Sequence, residues 1–162
     1  MREGLLVGGM LTNSESWINM TTKNIDELEK PDGILQRKVL STTGNPSKSF
    51  MMLELGLIPI RYVLMQKLLQ ILHYLIKQDK ESMLSKAFRV LQADSRKGDF
   101  VDLSSRDKTE LDIVLTDEEI EAMSKRQWKR LIKQKTKLAA FRYIYEKNQS
   151  KEKNRDIHFE NF

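Results

Sequence analysis

A chain of 162 residues, 40% hydrophobic and 31% charged, can bury one core of ordinary size, and one domain is the default for its length. It contains no cysteine, which excludes a disulfide framework and a thiolate metal site. Lys and Arg outnumber Asp and Glu by 28 to 23, and the imbalance is local: seven Lys/Arg and no acid stand from Lys125 to Lys137, whereas seven acids and one Lys stand from Asp107 to Glu121.

Apolar residues recur at helical rather than alternating spacing, and no β-branched run between turn signals demands a strand, so the chain reads as all-α. The expected architecture is an irregular bundle of about seven to eight helices around a central apolar helix at 58–77, followed by a disordered C-terminal tail. Residues 1–147 would form a single helical domain: an N-terminal helix within 1–20, linker helices over 21–56, and a helical core over 57–147 that ends in a basic helix. Residues 148–162 read as a polar tail.

The segment Met1 to Leu11 has one Arg and a short apolar run broken by Gly8 and Gly9, too weak for a signal peptide. A first helix is expected from Arg2 to about Trp17, with Leu5, Leu6, Val7, Met10 and Leu11 as an exposed apolar face. Thr21 or Thr22 can cap a second helix whose core candidates are Ile25, Leu28, Leu35, Val39 and Leu40. Pro31 removes a backbone donor, so this helix should kink or divide into two around Pro31-Asp32-Gly33. Ser41 to Pro46 is a loop, and Asn45 before Pro46 is a good start for a helix ending at Gly56.

Pro59 opens the next helix. Its polar residues Gln66, Lys67, Gln70, His73 and Lys77 crowd into a narrow arc, which leaves the rest to be buried at the centre of the domain. The same polar residues, with Arg61, interrupt the longest apolar stretch, Ile58 to Ile76, so no membrane span is expected. Arg61 lies off the polar arc, in the first turn, where the positive end of the helix dipole disfavours a cation. It therefore needs a carboxylate or carbonyl partner, with Glu54 the first candidate, and would clip together the two helices that meet at Gly56 to Pro59.

Glu81 to Gln92 reads as an amphipathic helix through Met83, Leu84, Ala87, Phe88 and Leu91. After a polar turn, Asp99 can cap a short helix carrying Val101, Leu103 and Leu111. Thr116 to Glu119 is a capping box. Ser124 then caps the last helix, Lys125 to about Lys147. On a wheel of about 100° per residue, Lys125, Arg126, Lys129, Arg130, Lys133 and Lys137 share one arc of roughly 140°, opposite Trp128, Leu131, Ile132, Leu138 and Ala139. Such a stripe can neutralise successive phosphates of RNA or DNA; a solvated face paired with the acidic segment is the alternative. Lys135, amid the apolar arc, is expected to pack its stem and extend its ammonium to water.

No enzyme site is found. His73 and His158 are too far apart in pattern to share a metal, Gly8-Gly9 lacks the context of a nucleotide loop, and no serine has a base with an orienting acid. No catalytic residue, metal ligand or cofactor is assigned.

Four words stand in order along the chain: Leu53-Glu54-Leu55-Gly56-Leu57-Ile58-Pro59-Ile60-Arg61, Leu72-His73-Tyr74-Leu75, Lys97-Gly98-Asp99-Phe100 and Met123-Ser124-Lys125. Their order and spacing resemble the region that follows the palm in reverse transcriptases of non-LTR (LINE-like) retrotransposons, where E-x-G-x-x-P-I-R, L-H-Y-x-L, K-G-D-W and M-S-K recur. Leu11-Thr12-Asn13-Ser14-Glu15-Ser16-Trp17 is similar to L-Y-G-S-E-x-W, with Thr12-Asn13 in place of Tyr-Gly; Phe100 stands where that family has Trp.

The resemblance implies a thumb-like segment of a transposable-element protein whose parent activity is RNA-directed DNA polymerisation, with 1–20 as the palm junction. It also implies structural roles for Glu54, Gly56, Pro59, Arg61, His73, Lys97, Gly98 and Asp99. The paired Asp residues that hold magnesium in such polymerases have no counterpart here, so the chain is not expected to be catalytic itself. It is expected to grip nucleic acid through the basic helix, in an intracellular setting, cytoplasmic or nuclear. The alternative is a stand-alone protein-interaction module or homodimer, using the N-terminal helix to meet the missing palm or a second copy.

Overall fold

The computed structural model describes residues 22–42 and 46–159, and among them there are seven helices and no strand. The helix expected over Arg2 to Trp17, with its apolar face at Leu5, Leu6, Val7, Met10 and Leu11, lies outside the described residues, as does Asn45.

Helix α1, Thr22–Val39, runs through Pro31 without dividing. Its buried side is polar: Asp32 and Gln36 are fully enclosed, and the Gln36 amide donates to Asp32 Oδ2 at 2.9 Å. Val39, expected in the core, is 61% exposed, and Ile25, Leu28, Leu35 and Leu40 are only half-buried. A hydrophobic wheel misses this face because two polar side chains one turn apart hydrogen-bond each other, which offsets part of the cost of burying them.

Helix α2, Lys48–Glu54, begins at Ser47, whose hydroxyl accepts from Phe50 N at 3.1 Å. The start expected at Asn45-Pro46 is thus displaced to the nearest side chain able to cap. The helix ends in a left-handed Gly56 at φ +61°, with Gly56 N donating to Leu53 O and Leu57 N to Met52 O at 2.8 Å. That pair of bonds closes a Schellman motif. The same motif ends α1 at Ser41, where φ is +50°.

Helix α3, Ile60–Ile76, packs against α1 and against the four helices that follow it: α4 (Met83–Ala93), α5 (Phe100–Glu110), α6 (Asp117–Ala122) and α7 (Lys125–Phe159). Pro59 at its start offers no side-chain cap. The Glu29 carboxylate of α1 takes that place, accepting from Ile60 N at 3.2 Å while also pairing with Lys48 of α2. A carboxylate at a helix N-terminus meets both the orphan N–H groups and the positive end of the dipole.

Polar side chains expected on an outer arc of α3 instead join it to α7. His73 is buried; its Nε2 lies 3.1 Å from Met123 O, which can only accept, so Nε2 carries the proton. Its ring stacks on Trp128 at 5.9 Å, and Trp128 Nε1 donates to Leu69 O at 2.8 Å. Gln66 donates to the buried Thr136 hydroxyl at 2.5 Å.

Ser82 caps α4, Asp99 caps α5, and the Thr116–Glu119 box is closed in both directions at the start of α6. Ser124 and Gln127 form a second reciprocal cap at the start of α7, at 3.2 and 2.8 Å. The helix does not stop near Lys147: its backbone continues to Phe159, so the expected polar tail is helical over most of its length. Polar, charged sequence lowers packing but does not break a helix, and no Pro or Gly interrupts this stretch.

Candidate nucleic-acid interface

Helix α7 is seated by the ridge Trp128, Ile132, Thr136, Ala140 and Ile144, all buried and four residues apart. Such a ridge is inclined to the helix axis. The contact face therefore winds around the helix, bringing Thr136 inside and leaving Leu138, expected within the apolar arc, 57% exposed. Leu131 and Ala139 are half-buried beside it.

Lys125, Lys129, Lys133 and Lys137 form a second ridge next to the seated one, and Arg126 and Arg130 a third; all six side chains are exposed. Lys125, Arg126, Lys129, Arg130 and Lys133 border a shallow open depression along the helix. Among the described residues none of the six takes part in an ion pair. Lys137 Nζ lies 5.7 Å from the Phe141 ring centre.

Four of the seven acids of 107–121 are directed elsewhere. Glu110 bonds Arg61 at 2.5 Å, Asp112 holds Lys135, Asp117 accepts from Gln92 and lies near Lys108, and Glu119 closes its capping box. The Lys135 ammonium does not reach for water: it donates to Asp112 O at 2.7 Å and Oδ2 at 3.1 Å, bracing the left-handed Asp112 that ends α5.

Arg61 is corrected in its partner. It bonds Glu110 of α5 rather than Glu54, which is exposed at the end of α2, and its guanidinium sits 5.1 and 5.2 Å from the Tyr62 and Tyr143 ring centres. The clip therefore joins α3, α5 and α7. Burial, with the Glu110 carboxylate also acting, pushes the Tyr62 hydroxyl up to about 12. Burial, reinforced by Glu110, raises the Asp107 carboxyl to about 7, against the opposing pull of Arg61 and Arg106.

The other residues singled out in the four words mark chain geometry. Gly56 ends α2, Pro59 is the buried start of α3, and Gly98 is left-handed at φ +89°. Asp99 accepts from the backbone N–H groups of Asp102 at 2.8 Å and Arg96 at 2.6 Å, which holds its carboxyl below the usual range; Lys97 is exposed on that turn. Together they set where helices begin and end. They do not converge on one site, and among the described residues no three His, Asp or Glu side chains gather as a metal group would require.

One part of this candidate surface escaped a search by charge. The lysine ridge continues at the same four-residue step to the half-buried Phe141 and to Tyr145, which is 61% exposed. The signal was present in the sequence as i, i+4 spacing, but a wheel drawn for cations does not count rings. Among the described residues no helix is long and apolar enough to cross a membrane. No protein-family model, no curated protein and no solved structure matches this chain, so its function has to be argued from the geometry of α7 and from the residue words above.

Proposed function

We propose that this chain is a non-catalytic helical segment that binds the backbone of nucleic acid through α7, in the manner of the thumb-like region of a retroelement RNA-directed DNA polymerase. The observation that carries the proposal is the exposure of Lys125, Arg126, Lys129, Arg130, Lys133 and Lys137 without ion-pair partners among the described residues, while Glu110, Asp112 and Asp117 of the acidic segment pair with Arg61, Lys135 and Lys108 instead. Cations left open in this way release counterions from a polyanion. The ordered words around Gly56, His73, Gly98 and Ser124 support the family.

Binding should be independent of sequence and steep in salt. If five phosphates are met, log K falls by about four to five per log unit of salt on a duplex. Lys129→Gln with Lys133→Gln should flatten that slope by about two units. Salt-insensitive binding, or none below millimolar concentration, refutes the proposal.

A second reading, self-association, is favoured by α4. Met83, Leu84, Val90 and Leu91 of this amphipathic helix are 89, 44, 67 and 45% exposed, and only Phe88 of the expected apolar set is buried. A dimer in light scattering that dissolves with Met83→Glu and Val90→Glu supports this reading; a monomer refutes it.

A further inference from the structure

The row Lys125, Lys129, Lys133, Lys137, Phe141, Tyr145 changes character along its length, from four ammonium groups to two rings. Each four-residue step rises about 6 Å and turns about 40°, so the lysines span about 18 Å on a convex, winding line. A duplex strand circles its axis once in about 34 Å, so over the same distance it passes halfway round and leaves a convex ridge. An unpaired strand bends to follow it. Beyond the last ammonium, the exposed Tyr145 ring offers a face to a base, and the exposed Arg142, three residues earlier on the neighbouring ridge, offers a cation to the adjoining phosphate.

We infer that the ligand of α7 is an unpaired nucleic-acid strand, free or as the overhang of a duplex, with its backbone on the lysine ridge and a base stacked on Tyr145. The inference rests on the proposal that α7 binds nucleic acid, and it adds the strandedness of the ligand and a stacking residue. Trp128, on the same helix, is buried against α3 and takes no part.

The test uses fluorescence anisotropy of the full chain with labelled oligothymidylate, oligouridylate, a blunt DNA duplex of equal length, and that duplex with an unpaired extension, at one ionic strength. The single strands and the extended duplex should bind about tenfold tighter than the blunt duplex, and Tyr145→Ala should remove about that factor while Tyr145→Phe retains it. Lys129→Gln with Lys133→Gln should weaken all four. A blunt duplex that binds as tightly as the single strands overturns the inference, as does a Tyr145→Ala variant with unchanged single-strand affinity or an equal loss on every ligand. Binding that is blind to Tyr145 removes this inference alone, whereas no binding to any oligonucleotide removes the proposed function with it.

Discussion

Burial keeps the Asp107 carboxyl protonated up to about pH 7, against 3.8 for the free group, because Glu110 adds repulsion to desolvation. Between these values the folded chain holds a proton that the unfolded chain has released, so stability falls as pH rises through that window and is level above it. Asp107→Asn cannot charge. Its stability relative to the parent should therefore grow from pH 4 to pH 7 and then hold, reaching on the order of 2 kcal/mol once partial exposure is allowed for, as urea denaturation across pH would measure. Glu29 is the converse case, a carboxylate that the fold uses. Glu29→Ala strips the start of α3 of its acceptor and should lower stability by about 1–2 kcal/mol, while Glu29→Gln, which keeps an oxygen and loses the charge, should cost less.

The two described glycines with open space around them predict opposite outcomes at the scale of single helices. A methyl added at Gly33, inside α1, or at Gly56, after α2, would meet no atom of the other described residues within 4 Å beyond the adjoining backbone, so among them sterics do not decide either case. Backbone conformation decides. Gly33→Ala restricts the unfolded chain in a conformation that alanine favours and should raise stability by about 0.5–1 kcal/mol. Gly56→Ala must adopt φ +61° and should lower it by about 1 kcal/mol; thermal melts of the two variants read the sign directly. Local punctuation of this kind was legible beforehand. The caps at Asp99, Thr116 and Ser124 and the left-handed Gly56 depend on side chains within a few residues of the backbone they satisfy. Helix continuity through Pro31 and to Phe159 was less legible, since breaking signals set a cost that the rest of a helix can offset.

Across the whole molecule, α3 and α7 decide what is left for solvent. Their interface is tied by Trp128 to Leu69, by the His73 ring stacked on Trp128 and by Gln66 to Thr136, and it turns the lysine ridge outward. Trp128→Phe keeps one aromatic ring but loses the N–H bond to Leu69 and part of the buried volume, and should lower stability by about 2–3 kcal/mol in urea denaturation without changing the salt slope of nucleic-acid binding. The sequence by itself determined the all-helical class, the sites where most helices start, and the basic stripe, because each follows from spacing within one turn or a few. Only the tertiary structure decided that Arg61 meets Glu110 and Lys135 meets Asp112, that His73 and Gln66 face inward, and that the apolar side of α4 stays exposed. Those outcomes depend on partners tens of residues away, and a helical wheel gives the angle of a side chain but not the neighbour that will stand there.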